Sequence, residues 1–285
     1  MKLSLSKGLI AGAALFGLAL TAAPAMAERK AEHPHDAGFP QAGPFGKFDQ
    51  AQLQRGYKVY KEVCSACHSM ELLSFRDLGM KGGPFYDPEH PNPNDNPYVK
   101  AIAGEFEVND IDTETGETVK RKAVPADRFP SPYPNATAAA AGNGGAPPPD
   151  LSVIAKARHG GGNYVYSLLT GYRTPPAGLQ VAPGQHYNPW MGGDLETYWK
   201  GKGPAPIGGF IAMPPPLSDG QVTFDDGAKS TLHQQAKDVA AFLEWASEPH
   251  QIERKQTGVA VLIFLLIFAG LTYASYRRIW KGVAH

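Results

Sequence analysis

The chemistry of this 285-residue chain gathers at Cys64-Ser65-Ala66-Cys67-His68, which holds its only two cysteines. Two thiols three positions apart on a helical turn can form thioethers to the two vinyl groups of one haem. The adjacent His68 then lies under the iron as proximal ligand. A zinc knuckle would need a second ligand pair, and no further cysteine exists. A thioredoxin-like pair would need a βαβ setting, which the pattern does not supply. The same count excludes a four-thiolate cluster and a disulfide-stapled scaffold.

The sixth ligand separates electron transfer from catalysis. An open iron suits ligand binding or peroxide chemistry, whereas His/Met coordination gives an electron carrier of raised potential. Of six methionines, Met1 and Met26 fall in an N-terminal export signal, and Met70 is too near His68 to reach the opposite side. Met80, Met191 and Met213 remain. Met213 is favoured because Met213-Pro214-Pro215-Pro216 forces an extended segment that can pass a haem face at little entropic cost.

Elements must position these groups. Leu53, Tyr57, Tyr60, Cys64 and Cys67 recur at helical steps, with Asp49 as N-cap and Gln52 in the capping-box position. Gly56 inside this helix implies close approach of another element, with Phe242 as the expected neighbour. A last soluble helix starts at Thr231, with Gln234 as box partner, and ends before Pro249. Between them, a short helix is expected after Pro149 and another over Tyr164–Thr170, capped by Asn163 and stopped by Gly171. Residues 28–41 read as an extended arm. Residues 81–118 read as a polar excursion with a turn at Thr113–Gly116, and 130–149 as loop with an Ala-rich patch. Residues 172–216 read as mostly irregular, and no convincing sheet is expected.

Both ends carry segments outside the soluble fold. Lys2 and Lys7, an apolar run from Leu9 to Leu20, and Ala25-Met26-Ala27 form an export signal over residues 1–27. The absence of Arg there argues against a mitochondrial presequence, so a bacterial exported protein is expected. Residues 257–276 are apolar enough for a transmembrane helix, and Arg277, Arg278 and Lys281 then hold a cytoplasmic tail (277–285). Residues 28–256 form the periplasmic domain, anchored to the inner membrane by a single pass.

With 27 basic and 27 acidic residues, the chain has none of the basic excess of a nucleic-acid binder. Charge is uneven, however. Between residues 87 and 117, Asp87, Glu89, Asp95, Glu105, Glu107, Asp110, Asp112, Glu114 and Glu117 stand against Lys100 alone. These acids are either a solvated loop or a field that steers a basic partner.

The haem motif, Pro148-Pro149-Asp150-Leu151-Ser152, Ala157-Arg158-His159-Gly160-Gly161, the run Tyr164–Tyr172, Met213-Pro214-Pro215-Pro216 and the C-terminal anchor together resemble the cytochrome c1 family, over residues 45–280. That family supplies the haem subunit of the cytochrome bc1 (quinol–cytochrome c oxidoreductase) complex. The resemblance implies a mainly α fold, an enlarged class I cytochrome c domain with long irregular loops and one transmembrane helix. It implies one covalent haem c on Cys64 and Cys67, with His68 and Met213 on the iron. It also implies a pocket of Asn143, Ala146, Pro148, Pro149, Arg158, Tyr164, Leu168, Leu169, Ile211 and Pro216. Arg158 and Tyr164 suit haem propionates as donors. The implied role is one-electron relay from the Rieske iron–sulfur protein to a soluble cytochrome c, beside cytochrome b, with no substrate chemistry on this chain. A free-standing membrane-anchored cytochrome serving a terminal oxidase is the alternative, and an open-site haem enzyme or gas sensor a third.

Overall fold

The computed structural model describes residues 31–282, so the export signal expected at 1–27 lies outside the described residues. The helices are α1 (Gln50–Val59), α2 (Pro97–Gly104), α3 (Ala136–Gly142), α4 (Gly161–Thr170), α5 (Leu232–Ser247) and α6 (Gln251–Ile279). Two small antiparallel ribbons join them: β1 (Glu107–Ile111) with β2 (Thr118–Lys122), and β3 (His186–Asn188) with β4 (Gly209–Ile211). The chain is mainly α-helical, as expected.

The core is built where α1 meets α5. A Cβ on Gly56 would lie 2.1 Å from the Asp238 carbonyl oxygen and 2.7 Å from Phe242 Cβ. The expected close approach is therefore made, and backbone as well as Phe242 makes it. The Tyr57 and Tyr60 rings sit 5.7 Å and 5.9 Å from Phe242, which stacks on Trp245. Register is locked by Asp238, which is fully buried. Its carboxylate accepts from Arg55 Nε at 2.7 Å, Gln52 Nε2 at 3.0 Å and Gln234 Nε2 at 2.8 Å. A buried carboxylate without such partners would be strongly destabilising. These contacts also explain why both helix starts are only half the expected capping box. Asp49 accepts the Gln52 N–H and Thr231 the Gln234 N–H. The glutamine side chains turn away to Asp238 instead of reaching back to their caps.

Several expectations are corrected by the fold. The 113–116 turn does close a hairpin, so residues 107–122 form a ribbon where no sheet was expected. Both its faces are largely exposed, and the apolar alternation that marks a half-buried strand is absent. Asn96 caps α2 with Pro97 in its first turn, inside the segment read as polar excursion. The Ala-rich patch is helix α3, capped by Asn135. The short helix expected after Pro149 does not form; residues 152–157 are turns. Helix α4 starts three residues early, after Gly160 at φ +92°. Asn163 does not cap it but accepts the Ala37 N–H at 3.0 Å. Gly171 does end it. The periodic helix through Cys67 stops at Val59 and widens into a π turn.

The N-terminal arm runs as expected in extended form over α4 and the Trp190 loop. Its bonds are Glu32 N–H to the Pro189 carbonyl, Trp190 Nε1 to the His33 carbonyl and His35 N–H to Ser167 Oγ. Helix α6 has 29 residues, about 43 Å at ~1.5 Å each, more than the ~30 Å hydrocarbon core needs. Its Val261–Phe268 stretch is exposed, as a single membrane span requires. Arg254 paired with Glu248, and Lys255 Nζ on the Gln41 carbonyl at 2.6 Å, tie its start to the domain.

Candidate functional site

The motif sits on a deliberate irregularity. Ser65 N–H reaches back five residues to the Tyr60 carbonyl at 2.8 Å, and then Cys67 and His68 N–H groups both reach the Cys64 carbonyl. A π turn of this kind re-aims side chains that a uniform helix would carry elsewhere. Both cysteines are half-buried free thiols. Burial, helped by the neighbouring Cys67, pushes the Cys64 thiol up to about 12, so it rests protonated. A redox-active CxxC pair needs the opposite shift.

His68 is oriented by one bond. Its Nδ1 lies 2.8 Å from the Pro149 carbonyl oxygen, which can only accept. Nδ1 therefore carries the proton, and Nε2 keeps its lone pair for a metal. Burial outweighs both that bond and the nearby Asp150 charge, and holds His68 below the usual imidazole range. The ring is neutral, as a ligand must be.

The other expected residues differ in how they are placed. Leu168, Ile211, Met213, Pro216, Ala146 and Pro148 are half-buried and belong to neither apolar core. Leu169 and Tyr164 are half-buried against the main core. Pro149 is exposed but fixed by His68. Asn143 closes the end of α3, donating from Nδ2 to Ala139 O at 2.7 Å and Tyr133 Oη at 3.0 Å. Arg158 is exposed, and its guanidinium donates to the Ala157 carbonyl at 3.0 Å.

The three methionines are held differently. Met80 lines a surface cleft with Arg76, Pro93 and His250. Met191 Sδ receives the Tyr164 hydroxyl at 3.9 Å. Met213 follows β4, and its carbonyl receives the Tyr172 hydroxyl at 3.0 Å. Met70 is fully buried in the core. Two thiols, an imidazole with a free Nε2 and half-buried apolar side chains outside the packed cores are the donor set and wall of a covalently attached haem. The residues fit that group.

Sequence reasoning missed the residues that hold these parts still. Asp150 and Ser152 tie the Pro149 segment to Ser69–Leu72, and Tyr172 tethers Met213. The Asp150 side chain accepts the Ser152 N–H two residues on, the signature of an Asx turn legible in Asp-Leu-Ser. The acidic stretch also looks different folded. Asp87, Asp95, Glu105, Glu107 and Asp110 pair with His90, Lys100, Lys61, Lys122 and Arg121. The field counted along the sequence is thus reduced rather than cancelled: Glu89, Asp112, Glu114 and Glu117 take part in none of these pairs, and the last three group at the hairpin turn.

Comparison with known proteins agrees with this geometry. The model of the Cytochrome C1 family matches residues 39–283. The chain is 45% identical over 265 residues to "Cytochrome c1-2, heme protein, mitochondrial" of Solanum tuberosum, covering 93% of this chain and 91% of that one. It is 40% identical to "Cytochrome c1" of Rhodospirillum rubrum, covering 88% and 89%. It is also 40% identical to "Cytochrome b/c1" of Bradyrhizobium diazoefficiens, where it covers 97% of itself but spans only 39% of the relative's length.

Proposed function

The chain belongs to the cytochrome c1 family, and from that premise we propose that it is the membrane-anchored electron carrier of a bc1-type complex. One observation carries the reading: Cys64, Cys67 and a neutral His68 oriented on Pro149, in a chain of this family whose α6 can span a membrane. Cys64 and Cys67 would hold one haem c by thioethers, and His68 and Met213 would be the side chains that ligate its iron. When bound, the haem supplies reversible one-electron exchange, and His/Met ligation raises its potential. The chain's own residues do the rest. The π turn presents both thiols, Pro149 fixes the imidazole, and Leu168, Leu169, Ile211 and Pro216 exclude water. Asn143, Ala146 and Pro148 complete the wall, with Arg158 and Tyr164 as donors for the propionates.

In this reading residues 1–27 are an export signal, 28–256 the periplasmic haem domain, 257–276 the membrane-spanning part of α6 and 277–285 the cytoplasmic tail. Arg277 and Arg278 at the end of α6 support that orientation. The Rieske iron–sulfur protein is the donor, a soluble cytochrome c the acceptor, and cytochrome b the membrane partner. Gentle detergent purification through a tag on this chain tests the assignment. Cytochrome b and the Rieske protein should co-purify, and quinol should reduce the haem. A haem chain that purifies alone, or a reduced haem that binds carbon monoxide, would contradict it.

A further inference from the structure

Two loops about eighty residues apart are stitched together immediately beside His68, and one carboxylate makes two of the stitches. Asp150 Oδ2 accepts the Ser69 hydroxyl at 2.8 Å and the Glu71 N–H at 2.9 Å. Asp150 Oδ1 accepts the Ser152 N–H at 2.8 Å. Leu151 N–H donates to the Ser69 carbonyl at 2.9 Å, and Leu72 N–H to Ser152 Oγ at 3.0 Å. Ser69 directly follows His68, and Asp150 directly follows Pro149, whose carbonyl accepts from His68 Nδ1. The carboxylate therefore ties together the two residues that directly follow the donor and the acceptor of that bond. From this geometry we infer that Asp150 is a positioning residue that sets the His68–Pro149 hydrogen bond and, through it, the electron-donating strength of the imidazole.

The group is anionic. Its partial burial alone would raise its pKa, but hydrogen bonds from Ser152, Glu71 and Ser69 outweigh this and hold it below the usual carboxylate range. Two consequences act in the same direction. A firm Nδ1–H bond to a carbonyl makes an imidazole a stronger donor to an oxidised metal, and a nearby fixed anion favours the more positive oxidation state. Removing Asp150's charge and acceptors should thus favour the reduced haem. Mere loosening that admitted water would do the reverse, because water stabilises the more highly charged state.

The inference rests on His68 being an axial ligand, so the test separates the two. In the purified full chain carrying haem, Asp150→Asn places an NH2 against hydrogen-bond donors and removes the charge. Redox titration should show the reduction equilibrium shifted toward the reduced form by about tenfold, ~59 mV for one electron. The amides of Glu71 and Ser152 should exchange hydrogen faster. Ser69→Ala keeps the charge and removes one donor. It should shift the potential in the same direction but less, and it carries the test if Asp150→Asn fails to retain haem. A parental potential in whichever variant retains haem overturns the inference, as does a shift toward the oxidised form. His68→Ala is measured in parallel. If it keeps a low-spin haem, the ligand assignment fails and this inference with it. If it loses the low-spin spectrum while the potentials of the other two stay parental, only the role of Asp150 fails.

Discussion

The two segments that carry the proposed axial ligands are held by different means. His68 ends a helical segment whose register is locked by the α1–α5 packing, and it leads into a loop stitched by side-chain hydrogen bonds to Asp150 and Ser152. Beyond it, residues 73–76 are joined to 125–129 by backbone bonds, among them Phe75 N–H to Asp127 O and Arg76 N–H to Pro125 O. Around Met213 the ties are fewer, and the backbone pairing of β4 with β3 ends at Ile211. Met213 follows the three-residue strand β4, is tethered at its carbonyl by Tyr172, and is followed by three prolines. One side is rigid through a network, the other through restricted φ angles. A network fails in steps as members are removed, whereas a proline-stiffened segment tolerates loss of its tether.

The largest test removes the attachment common to both sides. Cys64→Ser with Cys67→Ser should abolish covalent haem, read as complete extraction of pigment into acidified organic solvent. Retention of covalent haem would break the assignment outright. Next, Met213→Leu should open one axial position, lower the potential markedly and allow carbon monoxide binding. Met191→Leu should do neither, because Met191 meets the Tyr164 hydroxyl instead. Absorbance spectra of the two variants under carbon monoxide decide between these methionines.

A third test strains only the His68 side. Gly56→Val would drive a side chain into the Asp238 carbonyl and Phe242, where even a Cβ would lie 2.1 Å away. It should cost at least ~1–3 kcal/mol, the usual range for overpacking, and lower the thermal midpoint. A parental midpoint would mean that α1 and α5 part easily. On the opposite side, Tyr172→Phe removes the one hydroxyl bond to Met213. It should cost only about 0.5–1.5 kcal/mol, and carbon monoxide should still be excluded if the prolines suffice.

The smallest effect is acid dependence. The Arg121 hydrogen bond holds Asp127 below the usual carboxylate range; burial opposes this, and the Val124 N–H adds to it. Its folded pKa is therefore below the unfolded value of ~3.9. The stability it contributes is complete above that value and is lost as pH falls through the folded pKa. Below about pH 4, amides of residues 73–76 should lose exchange protection before those of β3 and β4. The reverse order would mean that Asp127 does not support the His68 side.

What was legible in the sequence was whatever depends on short spacing. The thiol pair with its adjacent imidazole, the caps at Asp49 and Thr231, the stop at Gly171 and the apolar length of α6 are each decided within a few residues or by one uninterrupted run. Gly56 was legible for a related reason, since a mid-helix glycine costs stability unless another element needs the space. Tertiary structure alone decided the rest. Residues 107–122 pair as an exposed antiparallel ribbon with no apolar alternation to announce it. Gln52 and Gln234 leave their caps for a buried Asp238 that local rules cannot see. Asp150 accepts from Ser152 two residues on, yet two of its three partners in the folded chain, Ser69 and Glu71, lie about eighty positions away. Hydrogen-bond donors from distant segments have no periodicity, so their meeting is fixed only when helix packing brings the loops together.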